Sequence, residues 1–247
     1  YRGTSHMLSP SLLCRTSLMP NQDRLAWSFF VEVDVDGSLR QIEVKRSIVR
    51  NKAAITYDEA NQQLNKSGDL SHILNKLTDV GKILRAHRLK KGGLDSLDPK
   101  CDDLNSEYML FVNKFCAEYL DREEVPLPYR VNSRPDKRQV DVFLEYCHEY
   151  GIEATTRNLN NPQRLSRIIH EFTERGARQR ADDILVSILG RAKYSLVNIG
   201  HWALAFDIYG HFTSPLRRYA DVCVQRQLSS STYGTEPMSY QELSEII

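Results

Sequence analysis

The chain has 247 residues, of which 41% are hydrophobic and 26% charged, so it can bury a core and is not globally disordered. Its 33 basic and 32 acidic residues give a net charge of +1, which excludes an arm that binds nucleic acid through bulk charge but not a local basic site. Every apolar run is shorter than the roughly 20 residues that span a bilayer, so no membrane partner is expected.

The cysteines and the N-terminus bear on location. The five cysteines lie far apart, without a C-x-x-C pair, which predicts reduced thiols and no structural metal. The first residues, YRGTSHMLSP, contain no apolar signal segment and no initiator methionine, which predicts that the chain begins inside a larger protein. The expected location is intracellular, with cytoplasm or nucleus favoured and the mitochondrion as the alternative.

The first predicted element is a β-hairpin. Residues 26–36, AWSFFVEVDVD, alternate apolar and polar side chains from Phe30 onward. Asp36-Gly37 is a turn pair, and LRQIEVKRSIVR continues the alternation after it.

Helical periodicity follows. A short helix is predicted over 58–66 and ends at Ser67-Gly68, and an amphipathic helix over 70–90 ends at Gly92-Gly93. The apolar face of the second helix is predicted to contain Leu70, Ile73, Leu74, Leu77, Val80, Leu84 and Leu89. Its basic tail contains Arg85, His87, Arg88, Lys90 and Lys91. A solvated face is favoured for this tail over contact with RNA.

The middle of the chain is predicted to be mostly helical. An acidic loop is expected over 94–103, a largely buried helix over 104–121 and an extended connector over 123–136. Further helices are expected at about 136–150, 161–179 and 181–191. The fold class is therefore mixed α/β (α+β), a β-hairpin followed by a mostly helical body.

The stretch HFTSPLRRYADVCVQRQL, residues 211–228, carries the chemistry. Ser214 is predicted to cap a helix and Pro215 to occupy its first position, which places Arg217 and Arg218 in the first turn. Cations there are unfavourable by about 0.3–1 kcal/mol each because they face the positive end of the helix dipole. A bound phosphate would reverse that sign, whereas a surface ion pair with Asp221 is the structural alternative. The predicted apolar face of this helix is Leu216, Tyr219, Ala220, Cys223, Val224 and Leu228.

The same stretch resembles a family signature. YGHFTSPLRRYADVCVQRQL is similar to Y-T-H-F-T-S-P-I-R-R-Y-x-D-x-x-x-H-R of the ribonuclease II and ribonuclease R (RNB) superfamily of 3′–5′ exoribonucleases. RGTS at 2–5, LSPSLLCRTSLMPNQDRLAWS at 8–28 and SEYMLFVN at 106–113 resemble other family segments in the family's order. KRSIVRNKAAITYDEANQQL favours the eukaryotic, exosome-associated branch. The resemblance covers essentially the whole chain. Residues 1–247 are therefore interpreted as one incomplete RNB-type domain that corresponds to the C-terminal part of such a domain.

The resemblance implies a fold and an activity. It implies a deep channel for single-stranded RNA and hydrolysis from the 3′ end to nucleoside 5′-monophosphates, with Mg²⁺ held by aspartates. DNA is not expected as a partner.

The resemblance also implies roles for individual residues. Arg217 and Arg218 are the candidates for stabilising charge on the reacting phosphate. The candidate RNA-binding residues are His211, Thr213, Ser214, Tyr219, Glu107 and Asn113. His211 and Tyr219 would shape the end of the channel and Glu107 would contact the terminal nucleotide, whereas a structural role is favoured for Asn113.

Several features depart from the family pattern. The family's aspartate cluster, D-P-x-x-x-x-x-D-x-D-D, precedes RGTS, so the Mg²⁺ ligands are expected outside this chain, and the run Asp98–Asp103 has the wrong spacing to replace it. The links after RGTS and over 92–106 are shorter than those of the family. This predicts that segments of the family pattern are joined here and that the loops between them are omitted. VPLPYRVNSRPDK replaces an arginine- and proline-rich run, and Gly210 and Gln225 replace a threonine and a histidine of the signature.

Three functions stay open at this point. An active exoribonuclease is favoured for the parent protein. The alternatives are an RNB-fold pseudonuclease that binds RNA without cleaving it and a scaffold subunit of a large RNA–protein assembly such as the exosome. The 247-residue chain by itself is expected not to hydrolyse RNA.

Overall fold

The fold consists of helices with two small antiparallel sheets. The computed structural model describes residues 6–94, 101–135, 137–159, 161–177 and 191–247, together with positions 179 and 183. The elements in chain order are α1 (Pro10–Thr16), β1 (Asp23–Val33), β2 (Leu39–Arg50), α2 (Tyr57–Leu64), α3 (Asp69–Lys90), α4 (Cys101–Arg122), β3 (Tyr129–Val131), α5 (Lys137–Glu149), α6 (Thr156–Leu159), α7 (Pro162–Glu174), β4 (Lys193–Ser195), a 3₁₀ turn (Trp202–Leu204), α8 (Tyr219–Tyr233) and α9 (Tyr240–Ile246). The mixed α/β class is confirmed. In the described part of the chain, no helix combines the length and apolar character that crossing a membrane requires.

The chain divides into two compact units, each described by itself. The hairpin unit comprises Tyr1–His87, Asp98–Asn113 and Phe212–Gln225. The helical unit comprises Arg88–Leu97, Lys114–His211 and Arg226–Ile247. The division passes through α4 and α8, so each of these helices contributes residues to both units.

The predicted hairpin is confirmed, with β2 at the predicted bounds and β1 shifted by three residues toward the N-terminus. Strands β1 and β2 pair antiparallel from Asp23 opposite Arg50 to Val31 opposite Ile42, with a bulge between Glu32 and Val33. The Asp36 carboxylate closes the turn by accepting from the Ser38 N–H (2.8 Å) and hydroxyl (2.6 Å).

Gly37 holds this turn against α3. Its φ of +83° is left-handed, and a Cβ built there would lie 2.6 Å from the His87 Cβ and 3.0 Å from the Ile83 carbonyl oxygen. The His87 Nδ1 lies 3.0 Å from the Asp36 carbonyl oxygen. The turn therefore approaches α3 too closely for any other side chain.

We expect Gly37→Ala to lower the free energy of unfolding by about 2 kcal/mol, because it adds a clash to the backbone penalty of about 1–2 kcal/mol. Gly151 is the matched control, since it also has positive φ (+64°) but no atom within 4 Å of the added Cβ. Urea denaturation of both variants measures the difference. An equal loss in both would show that the contact with His87 contributes nothing.

Helix α3 forms where predicted but buries a different face. Leu84, Ser71 and Gly81 are buried, whereas Leu70, Ile73 and Leu77 are exposed. Ser71 and Gly81 thus lie on the covered side of the helix, although neither belongs to the predicted apolar face. The Tyr108 hydroxyl also donates to the Leu77 carbonyl at 2.7 Å, so part of the helix is held through its backbone. The predicted apolar face is therefore wrong for its N-terminal half.

Arg88 also corrects the prediction of a fully solvated basic tail. It is buried, and its Nη1 donates to the Leu94 carbonyl at 2.7 Å. A Cβ at Gly93 would lie 2.8 Å from that nitrogen. Arg88 thus stabilises the chain segment that leaves α3 instead of facing solvent.

The later helices follow the prediction with shifted ends. Helix α4 begins at Cys101, three residues before the predicted start, so 101–103 are helical, not part of a loop. Helix α5 matches the prediction closely, but α7 ends at Glu174 instead of near 179. The described part of the predicted connector, 123–135, begins with a turn at 123–124 and then contains β3, which pairs antiparallel with β4. The helix predicted over 181–191 lies almost entirely outside the described residues.

The core of the helical unit lies among α5, α6 and α7. Phe172 is fully buried and stacks on Tyr146, with ring centroids 5.1 Å apart. Cys147 lies in the same core, where burial, together with the nearby Glu171 charge, raises the pKa of its thiol to about 12. The buried members of this core are Val140, Phe143, Tyr146, Cys147, Ile152, Leu159, Leu165, Ile168, Ile169, Phe172 and Ala177.

His201 is a neutral histidine in this unit. Desolvation, and then the charge of Arg130, lower the pKa of His201 to about 4. Its Nδ1 is buried without a hydrogen-bond partner among the described residues, and its ring lies edge-on to Tyr209. His201 therefore binds a proton near pH 6.5 in the unfolded chain and only near pH 4 in the folded protein.

The pH dependence follows from this difference. Between pH 6.5 and 4 the unfolded state binds the proton and the folded state does not, so the free energy of unfolding falls as the pH is lowered. We expect His201 to account for about 1–2 kcal/mol of that fall. His201→Gln should flatten the stability profile in this window, which urea denaturation at several pH values measures. Equal slopes in wild type and His201→Gln would contradict this expectation.

Candidate nucleic-acid interface

The two arginines of the 212–218 loop lie in a turn, not in a helix. Helix α8 begins at Tyr219. The Ser214 carbonyl accepts hydrogen bonds from the N–H groups of Arg217 (3.2 Å) and Arg218 (3.1 Å). The predicted Ser214 cap, the helical Pro215 and the first-turn arginines are therefore wrong, because Ser214 closes a separate turn ahead of the helix.

Arg218 forms an ion pair with Asp221. Its Nη2 lies 2.7 Å from the Asp221 Oδ1, at an i, i+3 spacing. The Asp221 side chain is fully buried and that of Arg218 is 24% exposed. The ion-pair alternative is therefore realised for Arg218, with a fully buried carboxylate and a partly exposed guanidinium, so loss of Arg218 would leave the buried carboxylate without its countercharge.

Arg217 is exposed and its charge is available. Among the described residues its guanidinium reaches only the Ser214 hydroxyl, at 3.5 Å. Tyr219, two residues on, is 50% exposed, so its predicted place on the buried face of α8 is wrong. Cys223, Val224 and Leu228 are buried as predicted.

The start of the loop is held by two amide side chains. The Asn113 Oδ1 accepts from the N–H groups of Phe212 (2.7 Å) and Thr213 (3.1 Å). The Gln225 Nε2 donates to the Phe212 carbonyl at 3.0 Å. The Phe212 ring lies edge-on to Phe29, with centroids 5.3 Å apart. Gln225 was noted only as a departure from the signature, and its contact with the loop was not predicted.

The structure places the remaining predicted residues in two environments. Glu107 (6% exposed) and Asn113 (4% exposed) are buried on α4, in the hairpin unit. His211 belongs to the helical unit, where its Nδ1 lies 2.7 Å from the Tyr194 hydroxyl. Direct hydrogen bonds connect Asn113 with Thr213, and Ser214 with Arg217 and Arg218. Whether any of these side chains contacts RNA remains a prediction.

Three buried polar atoms of this segment have no hydrogen-bond partner among the described residues. They are the Thr213 Oγ1, the Arg218 Nε and the Asp221 Oδ2. The Arg218–Asp221 pair therefore uses one nitrogen and one carboxylate oxygen, whereas a bidentate pair would use two of each. The shared Oδ1 also accepts the Ser214 N–H at 2.7 Å.

The described residues do not fit a magnesium site. Among them, no group of three or more histidine, cysteine, aspartate or glutamate side chains could hold a metal ion. The side chains of the run Asp98–Asp103 fall outside the described part of the chain. The buried Asp221 carboxylate faces Arg218 and the Ser214 N–H, which are donors and not companion metal ligands.

The sequence comparison decides the family. A protein-family model described as the RNB domain matches residues 2–233. The chain belongs to the RNB family. Ribonuclease R of Aquifex aeolicus is 30% identical to this RNB chain, over 94% of this chain and 37% of that protein. The chain thus spans little more than a third of the length of that relative.

Solved RNB structures share the fold. Mycoplasma genitalium RNase R in complex with ribose-methylated single-stranded RNA matches with a TM-score of 0.83 and 22% identity, over 93% of this chain and 40% of that chain. Yeast Ssd1, described as a pseudonuclease, matches with a TM-score of 0.81 and 21% identity, over 98% and 33%. The predicted family is confirmed. The ribonuclease R sequences are bacterial and do not single out the eukaryotic, exosome-associated branch.

Proposed function

We propose that this chain is part of a 3′–5′ exoribonuclease that degrades single-stranded RNA hydrolytically to nucleoside 5′-monophosphates with Mg²⁺. Family membership and the ribonuclease R relatives support the reaction class. The observation that carries the site is Arg217, an exposed guanidinium on a loop held by Asn113, Gln225 and Asp221. Since the described residues form no magnesium site, dependence on Mg²⁺ rests on the family resemblance.

The geometry suits recognition of a phosphate. A guanidinium presents two parallel N–H donors that match two phosphate oxygens. A loop whose backbone is already fixed loses little further entropy when the phosphate arrives. Such a group also stabilises charge that develops on the phosphate during cleavage. Arg217 is therefore the primary candidate for contact with the reacting phosphate.

A pseudonuclease is the second candidate function. Yeast Ssd1, described as a pseudonuclease, shares this fold, so the fold is compatible with a protein that does not act as a nuclease. Arg217 would then be a binding residue only. A scaffold role in the exosome or another large RNA–protein assembly, membership of the eukaryotic branch and an intracellular location are further proposals that rest on sequence patterns alone. Copurification with an RNA–protein particle would test the first of these.

The proposed function is tested on the intact protein, meaning the parent protein of which this chain is a part. The intact protein is incubated with 5′-labelled single-stranded RNA. With Mg²⁺ we expect stepwise shortening from the 3′ end and release of nucleoside 5′-monophosphates, which chelation of the metal stops. Single-stranded DNA of the same sequence is the control for substrate class. Binding without shortening would favour the pseudonuclease, and a protein that neither binds nor shortens RNA would contradict both functions.

A further inference from the structure

Asp221 is a buried carboxylate whose place in the fold needs an explanation. It lies in the first turn of α8 and is fully buried. A buried charge is costly unless paired, and an exposed aspartate would serve the helix start as well. Its side chain is turned instead toward the loop that carries both arginines.

A continuous set of hydrogen bonds leads from Asp221 to Arg217. The Asp221 Oδ1 accepts the Ser214 N–H at 2.7 Å. The Ser214 carbonyl accepts the Arg217 N–H at 3.2 Å, and the Ser214 hydroxyl lies 3.5 Å from the Arg217 Nη2. Asp221 therefore holds Ser214, and Ser214 holds the backbone of Arg217, whose guanidinium makes only this long contact among the described residues.

Arg218 has a different task from its neighbour. Its Nη2 donates to the same Asp221 Oδ1, also at 2.7 Å, and most of its side chain is covered. It supplies the positive charge that faces the buried carboxylate. Adjacent arginines with similar sequence surroundings thus differ in exposure and in partner.

We infer that Asp221 is a positioning residue that presents Arg217 to the RNA, with Arg218 as its countercharge and not as a second RNA contact. This inference rests on the proposed function, because it assumes that Arg217 meets an RNA phosphate. It departs from the expectation that the two arginines act alike.

A double-mutant cycle in the intact protein tests the inference. The variants are Arg217→Ala, Asp221→Asn and their combination, and the measurement is affinity for labelled single-stranded RNA. We expect each single change to lower affinity about fivefold, whereas Asp221→Asn in the Arg217→Ala background changes affinity less than about twofold, because residues acting through one contact are not additive. A merely structural role would give similar losses in both backgrounds.

Salt dependence provides a second readout. Loss of one phosphate contact lowers the slope of log affinity against log salt by about 0.7 for a single strand. We expect this decrease in both Arg217→Ala and Asp221→Asn. Arg175→Ala removes the same charge from an exposed pair with Glu171 and should leave the slope unchanged. Arg218→Lys keeps the countercharge, so its affinity loss should be smaller than that of Arg217→Ala.

Folding is checked by thermal unfolding of every variant. If Asp221→Asn does not fold, Arg218→Met with Asp221→Leu removes both charges together and leaves no unpaired buried ion. The variant that combines Arg218→Met and Asp221→Leu should show the affinity loss expected of Asp221→Asn. It should also show the same lack of additivity with Arg217→Ala.

Each outcome decides the inference. Additive losses, or a folded Asp221→Asn protein with wild-type affinity and slope, would overturn the positioning role and leave the proposed function intact. A larger affinity loss in Arg218→Lys than in Arg217→Ala would make Arg218 the RNA contact. A wild-type protein that binds no RNA would overturn the proposed function and the inference with it.

Discussion

Replacing Arg217 with alanine is expected to lower turnover of single-stranded RNA about 100-fold at saturating RNA, the scale observed when a group that stabilises transition-state charge is removed. The affinity for RNA should fall much less, about fivefold, because a bound strand is expected to contact the protein through several phosphates, of which Arg217 would contact one. The physical reason is the exposure of Arg217, whose guanidinium makes only a 3.5 Å contact with Ser214 among the described residues.

The measurement is the rate of cleavage of 5′-labelled RNA by the intact protein at saturating RNA, beside an affinity measurement in a chelator. Arg217→Lys keeps the charge but loses the planar pair of donors, so its turnover should lie between those of wild type and Arg217→Ala. Arg175→Ala should behave as wild type. Equal losses of turnover and affinity in Arg217→Ala would mean that the residue only positions RNA. If the wild type is a pseudonuclease, the affinity loss alone will appear.

The fold was predictable from sequence where local signals are strong. The hairpin is predictable because period-two alternation flanks the turn pair Asp36-Gly37. The turn requires a positive φ at Gly37, which is +83° in the structure. The buried face of α3 was not predictable, because it depends on which neighbours approach the helix. Periodicity favours Leu70 and Leu77, which are exposed, whereas Ser71 and Gly81 are buried together with Leu84.

The candidate site was located by its family signature but not resolved in detail. Ser214-Pro215 resembles a helix start, and the same two residues can close a turn before one. The difference depends on Asp221, which reaches back seven residues to the Ser214 N–H. A contact of this kind leaves no periodic pattern. For that reason Arg217 and Arg218 were equivalent in the sequence and differ in the structure.

Asn113, which holds the other end of the loop, is a second residue whose long-range contact the sequence does not predict. It was placed among the RNA-binding residues by family position, with a structural role favoured. Its Oδ1 holds two consecutive backbone N–H groups that come from residues about 100 positions later in the chain. This long-range contact is consistent with the structural role and accounts for a polar side chain that is 4% exposed.

Asn113→Ala is therefore expected to lower the free energy of unfolding by about 2–4 kcal/mol. The change leaves the buried Phe212 N–H and the Thr213 N–H without their acceptor, and each unsatisfied buried donor costs about 1–3 kcal/mol. Urea denaturation measures the loss, and amide hydrogen exchange locates it, since exchange should accelerate at 212 and 213 before it does elsewhere.

Asn105→Ala is the matched control, because it makes the same substitution on α4 at an exposed position, where the side chain donates only to the Tyr57 hydroxyl among described groups. It should cost less than about 1 kcal/mol. A loss at Asn113 no greater than that at Asn105, with exchange at 212 and 213 unchanged, would show that the loop is held by Asp221 and Gln225 alone.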